Sequence, residues 1–218
     1  MKFDLHTHTT IHSGCSRLTP QQLVERARAV GLDGLVITEH DAQWTPDAVA
    51  ELAEQSGLVI LTGMEVSTDL GHVLAYGLPK YLPGIYRAKG LREAADEVGA
   101  VLIQSHPLRL PVYVGGDFEG KNGHRMDDLL RKPILQLVDS IEIYNAGRPP
   151  AENEQAAELA EHLGWKGIGA GDAHTLDAVG ACVTVFEEPI RTMADLVHEL
   201  RAGRYHAAHQ ATSTQVRS

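Results

Sequence analysis

Short apolar runs alternate with stretches whose apolar positions recur at helical spacing. Phe3 to His6 reads as a strand. Thr19 then stands as an N-cap with Pro20 at the first helical position; Leu23, Val24, Ala27 and Val30 make one apolar side, and Gly31 is the stop. Leu35 to Thr38 is the next strand. Thr45 and Pro46 open a second helix in the same way, running through Val49, Leu52 and Ala53 to Gly57. Val59 to Leu61 and His72 to Tyr76 are strands three and four, and a helix from about Lys89 to Val98 feeds a fifth, Val101 to Gln104. Ser140 to Tyr144 is the sixth strand, Ala151 to Leu163 a helix ended by Gly164, and Gly167 to Ala170 the seventh strand. A β-rich piece, Ala181 to Phe186, and a helix from about Met193 to Ala202 complete the pattern.

Repeated strand-then-helix units call for parallel strands, because such crossovers cannot close hairpins. Six or seven units predict a barrel or strongly curved sheet. No linker or internal repeat divides the chain, so residues 1–205 are expected to form one domain and 206–218 a polar tail. Between 107 and 133, Pro107, Pro111, Gly115, Gly116, Gly120, Gly123 and Pro133 mark a long loop, expected to act as a partial lid that sets substrate size.

The chemically loaded residues collect at strand ends. His8, Glu39, His40, Glu65, His106, Asn145 and Asp172 each fall at or just past the C-terminal end of a predicted strand, where a β/α architecture assembles one site. His6 and His8 are two apart on a strand and share a face, so both imidazoles can reach one ion. Asp172 and His174 repeat that spacing after the small residues of Gly167 to Gly171. His40 follows strand two directly, flanked by Glu39 and Asp41. Glu65 ends an apolar run, a costly place for an unpaired carboxylate. His106 is fixed by Pro107, and His72 lies beside Gly71. A mixed set of imidazoles and carboxylates suits Zn, Mn or Fe.

Composition adds to this picture and narrows it. The 218 residues are 43% apolar, enough for one sizeable core. Twelve histidines are more than a structural chain needs. With 19 Lys and Arg against 29 Asp and Glu, the formal charge of -10 disfavours long nucleic acids and anionic membranes. Bound divalent ions would reverse that charge locally, so a small phosphorylated substrate is compatible with it. Asp4, His6 and His8 interrupt the N-terminal apolar run, no signal peptide or membrane span is expected, and a soluble cytoplasmic chain is the reading. Cys15 and Cys182 fit neither a disulfide framework nor a C-x-x-C motif.

The segments Asp-Leu-His-Thr-His-Thr at 4 to 9, Thr-Glu-His-Asp at 38 to 41, Gly-Met-Glu at 63 to 65, Gly-His-Val-Leu at 71 to 74, Ser-His-Pro at 105 to 107 and Gly-Asp-Ala-His at 171 to 174 resemble the polymerase and histidinol phosphatase (PHP) family. The resemblance runs in order over residues 1 to about 185. It implies a distorted (β/α)7 barrel and a centre of two or three divalent ions. His6, His8, Glu65 and Asp172 would hold one ion, Glu65 would bridge to a second with His72 and His106, and His40 and His174 would hold a third. The family usually supplies one more ligand to that third ion from the loop after the first motif. Here the expected Asp is missing from residues 10–16, and His12 is the expected substitute, ahead of Ser13 and Cys15.

The activity this implies is hydrolysis of a phosphoester in a small metabolite or nucleotide, with ions activating water and neutralising charge. His174 or His40 would protonate the leaving oxygen if free of metal, and Arg109 and Arg148 would hold the substrate phosphate. Alternatives are a histidinol phosphatase, a nuclease of short oligonucleotides, an amidohydrolase-like enzyme and a non-catalytic metal-binding domain. A polymerase proofreading role is disfavoured by the absence of a basic tract. Oligomeric state is not legible.

Overall fold

The computed structural model describes residues 1–109 and 125–210. Most of the segment expected to act as a lid, residues 110–124, lies outside the described residues, as do residues 211–218 of the expected tail. The strands are β1 (Lys2–Thr7), β2 (Gly34–Ile37), β3 (Val59–Thr62), β4 (Met64–Thr68), β5 (Gly71–Tyr76), β6 (Val101–Gln104), β7 (Ser140–Asn145), β8 (Ile168–Ala170), β9 (Cys182–Phe186) and β10 (Tyr205–His209). The helices are α1 (Pro20–Ala29), α2 (Pro46–Ser56), α3 (Ala88–Val98), α4 (Met126–Leu129), α5 (Pro150–Leu163) and α6 (Met193–Ala202), with a 3-10 turn at Pro133–Gln136.

Local chemistry explains the helix limits. Thr19 Oγ1 accepts a hydrogen bond from the Gln22 N–H while the Thr19 N–H donates to Gln22 Oε1, and Pro20 presets the first turn. Thr45 and Pro46 repeat the device without the reciprocal bond. Thr192 and Asp195 form a second reciprocal cap on α6. At the end of α2, Gly57 takes φ 69°, a left-handed conformation that a side chain resists.

The strands do not close into the expected (β/α)7 barrel. They form two five-stranded sheets, in the orders β10-β9-β1-β2-β3 and β4-β5-β6-β7-β8. Only β1-β2-β3 and β6-β7-β8 are parallel runs; β4 pairs antiparallel with β5, β5 with β6, β9 with β1 and β10 with β9. Two features oppose closure. Gly63 alone separates β3 from β4, so the chain passes from one sheet to the other without a crossover helix. The sheets then meet along two seams bridged singly, Thr7 with Ala173 and His40 with Glu65, instead of through continuous ladders. β10 also extends across the expected domain boundary at 205, pairing along β9 from Tyr205 to His209.

The sheets face each other over Phe3, Leu5, Val36, Leu74, Tyr76, Val101, Ile103 and Phe186. Tyr76 on β5 donates its hydroxyl to the Leu5 carbonyl of β1 at 2.9 Å, so even this core contact joins the two sheets. α1 and α2 cover the outer side of one sheet through Leu23, Val24 and Leu52, while α3 covers the other through Leu91 and Ala95. Among the described residues no helix is long and apolar enough to cross a membrane.

Candidate metal centre

Both seams carry the loaded residues. At the first, the His8 N–H donates to the Ala173 carbonyl at 3.0 Å and the Ala173 N–H to the His6 carbonyl at 3.1 Å. This sets the His6/His8 pair opposite Asp172 and His174. At the second, the Glu65 N–H bonds the Glu39 carbonyl at 3.0 Å and the Asp41 N–H bonds the Glu65 carbonyl at 3.1 Å, bringing His40 to Glu65. The backbone is strained here. Among the described residues Asp41, His106 and Asp172 are the non-glycine residues with positive φ, at 51°, 30° and 47°. Gly171 permits the close approach, since a Cβ there would stand 2.5 Å from Asp4 Oδ2 and 2.6 Å from the Ala178 carbonyl oxygen. Gly171→Ala is therefore expected to cost about 2 kcal/mol of stability, read from urea melts. An unchanged midpoint would mean that this loop relaxes freely.

Glu65 is 1% exposed and stands among five imidazoles. Its Oε2 lies 3.3 Å from Nε2 of His6, 3.3 Å from Nε2 of His8 and 3.0 Å from Nδ1 of His40. Its Oε1 lies 2.9 Å from His72 Nδ1 and 3.1 Å from His106 Nε2. Asp172 Oδ1 joins the first set at 3.4 Å from His6 Nε2 and 3.5 Å from His8 Nε2. Burial opposes ionisation of Glu65, but His6, His106 and His40 hold its pKa well below the usual carboxylate range. Burial likewise opposes ionisation of Asp172, and His6 and His8 pull its pKa down.

The residues fit divalent ions. Nε2 of His6, Nε2 of His8 and Oε2 of Glu65 are buried without a hydrogen-bond partner, a costly arrangement unless a cation meets them. Donors about 2.1 Å from a tetrahedral ion stand about 3.4 Å apart, which is the spacing of these atoms and Asp172 Oδ1. Three donor groups recur among the described residues: His6, His8, Glu65 and Asp172; His40, Glu65 and His72; and His8, His40 and His174. These clusters are of the kind that hold two or three divalent ions.

The sequence-predicted residues divide accordingly. His6, His8, His40, Glu65, His72, Asp172 and His174 come together in these groups. His106 reaches Glu65 but enters none of the three. His12 is exposed and enters none. Arg109 and Arg148 line a cleft of about 550 Å³ together with Asp172 and His174. Arg148 is held by two 2.8 Å hydrogen bonds to Glu152, whereas Arg109 has no ion pair among the described residues.

Glu142 and Asp4 escaped sequence reasoning as supporting residues, while Glu39 and Asn145 were singled out by their place at strand ends. Glu142, buried on β7, accepts from His6 Nδ1–H at 2.7 Å, from the His106 N–H at 2.7 Å and from Asn145 Nδ2–H at 2.8 Å. A carboxylate only accepts, so His6 carries its proton on Nδ1 and turns the Nε2 lone pair toward Glu65 and Asp172. His8 is oriented through Ser13: its Nδ1 lies 3.1 Å from Ser13 Oγ, which donates in turn to Glu39. Glu39 also accepts from Thr9 and from Trp44 Nε1, the latter at 3.0 Å. Asp4 accepts from the N–H groups of His6, Gly171 and Gly180, and burial pushes its pKa up to about 6 against those bonds. The available signal was an acid inside an apolar strand, as in Ile141-Glu142-Ile143. Glu142→Gln is expected to lower turnover about 10- to 100-fold, because an amide placed at His6 Nδ1 offers no charge to orient it. Near-normal metal content and turnover would remove Glu142 from the positioning network.

A family model described as the PHP domain matches residues 4–145, and one described as PHP-associated matches residues 150–205. The chain belongs to the PHP domain family. The family match and the donor clusters support a metal-dependent hydrolase acting on phosphoester bonds. A 5'-3' exoribonuclease of Haemophilus influenzae is 34% identical over 107 residues, 45% of this chain and 38% of that protein. A 3',5'-nucleoside bisphosphate phosphatase of Chromobacterium violaceum is 26% identical over 192 residues, 77% of this chain and 63% of that protein. The matches thus cover less than two thirds of either relative's length. Among solved structures, a two-domain protein from Bacteroides vulgatus containing a predicted PHP-like metal-dependent phosphoesterase superposes with a TM-score of 0.69 at 19% identity, over 96% of this chain and 65% of that one. Endonuclease Q, in complex with a 27-mer duplex, does so with a TM-score of 0.58 at 15% identity, over 94% and 57%. At such identities the superpositions establish a shared fold.

Proposed function

We propose that the chain hydrolyses the phosphoester of a small phosphorylated metabolite or nucleotide, with His6, His8, His40, Glu65, His72, His106, Asp172 and His174 as ligands. The observation that carries this is Glu65, whose two carboxylate oxygens face different sets of imidazoles beside the cleft of Arg109 and Arg148. Bound divalent ions supply stabilisation of charge on the phosphoryl oxygens and activation of water for in-line attack. Arg109 serves as the phosphate clamp, since Arg148 already spends its guanidinium on Glu152. His40 and His174, 27% and 29% exposed, are assigned to ligation. His174 spends Nδ1–H on the Asp172 carbonyl at 2.9 Å, so Nε2 cannot both ligate and carry a proton to a leaving oxygen.

A nucleotide is favoured within this class by the length of the match to the nucleoside bisphosphate phosphatase. The exoribonuclease match supports short-oligonucleotide hydrolysis as the second reading. Exclusion of long nucleic acid rests on the charge of -10. The fold alone does not impose it, as the Endonuclease Q complex makes plain. Free thiols at Cys15 and Cys182 support a reducing, cytoplasmic setting. The test is a panel of metal-reconstituted protein against histidinol phosphate, mononucleotides, nucleoside bisphosphates, a dinucleotide and a 27-mer duplex. Turnover of small monoesters with none of the duplex is expected. Cleavage of the duplex alone would overturn the proposal.

A further inference from the structure

Ser13 stands in the loop after β1, where one more metal ligand was expected, yet its hydroxyl has nothing left to offer an ion. The residue is buried. Its Oγ–H donates to Glu39 Oε2, while the oxygen receives the His40 N–H at 3.2 Å and faces His8 Nδ1 at 3.1 Å. A hydroxyl has one proton and two lone pairs. With the proton given to Glu39 and one lone pair taken by the His40 N–H, the oxygen can only accept from His8, so His8 carries its proton on Nδ1. The His8 Nε2, buried without a hydrogen-bond partner, then turns a lone pair toward Glu65 Oε2 and Asp172 Oδ1. His8 and His40, the two residues that Ser13 touches, each belong to two of the three donor groups. Glu39 sets this order from behind. It is fully buried and accepts from the Thr9 N–H, Thr9 Oγ1–H, Trp44 Nε1–H and Ser13 Oγ–H.

We propose that Glu39 and Ser13 are positioning residues that fix the metal-binding tautomer of His8, through a relay from carboxylate to hydroxyl to imidazole. This inference rests on the metal-dependent reading above. A carboxylate only accepts and an indole N–H only donates, so the direction of each bond is determined, and one substitution reverses the relay. In Glu39→Gln, Trp44 Nε1–H still requires an acceptor and keeps the amide oxygen on its side. The amide NH2 then stands where Oε2 stood and donates to Ser13 Oγ. Ser13 now receives two N–H groups, so its own proton turns to His8 Nδ1. His8 is driven to the Nε2–H form, and that proton covers the lone pair a metal needs. Deleting the hydroxyl is milder, because Ser13→Ala leaves His8 free to take either tautomer. The amide at 39 therefore does its harm only while Ser13 is present to pass it on.

The test compares four full-length proteins loaded with zinc: wild type, Ser13→Ala, Glu39→Gln and the double variant. Zinc affinity is read by competition with a chelator, and the His8 ring proton by heteronuclear NMR. Wild type is expected to show a His8 Nδ1–H protected from exchange. Ser13→Ala should weaken zinc binding about 10-fold and Glu39→Gln about 100-fold, the latter with loss of the His8 Nδ1–H signal. The double variant should return to about 10-fold, whereas independent losses would multiply to about 1000-fold. A fold damaged by Glu39→Gln would stay damaged in the double variant, so recovery there separates the relay from a structural role. A double variant no tighter than Glu39→Gln alone, or a Glu39→Gln protein that keeps the His8 Nδ1–H and wild-type affinity, overturns the relay and leaves the metal-dependent reading standing. A wild-type protein that binds no zinc overturns both.

Discussion

A Glu65→Gln protein is expected to lose phosphoesterase turnover by at least ~10³-fold and to bind at least one metal equivalent fewer than wild type. Five imidazole nitrogens stand within 3.3 Å of this one carboxylate, on both of its oxygens. The amide keeps the shape and removes the charge. It also turns one acceptor into an NH2 donor, so one of the two imidazole sets faces a group that cannot share a cation with it. The fold should survive, because the Glu65 N–H and carbonyl, which staple β4 to residues Glu39 and Asp41, are untouched. Metal analysis, steady-state rates and far-ultraviolet circular dichroism check the three parts separately. A folded Glu65→Gln protein with full metal and rates within tenfold of wild type would mean that Glu65 is a buried acid outside the chemistry.

The helices were legible because their signals are local. Thr19-Pro20, Thr45-Pro46 and the terminal glycines state where a helix begins and ends without reference to the rest of the chain. β6 was legible for the same reason, as a compact apolar run. Strand direction was not. The strand read at Val59 to Leu61 stays in one sheet, yet after Gly63 the unread strand Met64–Thr68 enters the other sheet as half of an antiparallel pair with β5. That choice depends on what the chain meets after the break, and alternation of strands and helices therefore overstated closure into a barrel. β10 was missed because Tyr205 to His209 is half-exposed and carries little apolar alternation.

The site divides along a similar line. His6 with His8 and Asp172 with His174 declare themselves by their spacing, and strand ends place Glu65 and His106. Glu142 stands out in sequence only as an acid inside an apolar strand, and its role emerges when β7 is laid beside β6 and β8, since its partner His6 is 136 residues away. The loop after the first motif is held by bonds that its own spacing does not show: Ser16 Oγ–H donates to the His8 carbonyl and the Arg17 N–H to the His174 carbonyl, with His12 and Cys15 both exposed. A residue type and its spacing cannot carry that information, because it lies in backbone partners remote in the chain.

Asp172→Ala is expected to lower turnover at least ~100-fold and to remove close to one metal equivalent without unfolding the protein. Its Oδ1 faces the Nε2 atoms of His6 and His8, and its Oδ2 accepts from Asn145 Nδ2–H at 3.3 Å, so the carboxylate is aimed from two sides. The backbone complicates the alanine variant. Asp172 has φ 47°, a conformation that aspartate and asparagine tolerate and that costs alanine about 1 kcal/mol. Asp172→Asn separates the two effects. It keeps the shape and the tolerance of positive φ but lacks the negative charge, so it should melt close to wild type and still lose metal and turnover. The neighbouring geometry gives an internal control, since the Asp172 carbonyl that receives His174 Nδ1–H is backbone and persists in both variants. Urea melts with metal analysis and steady-state rates on the pair decide the matter. An asparagine variant with full metal and near-normal turnover would take Asp172 out of the metal centre and leave it as a residue chosen for its backbone.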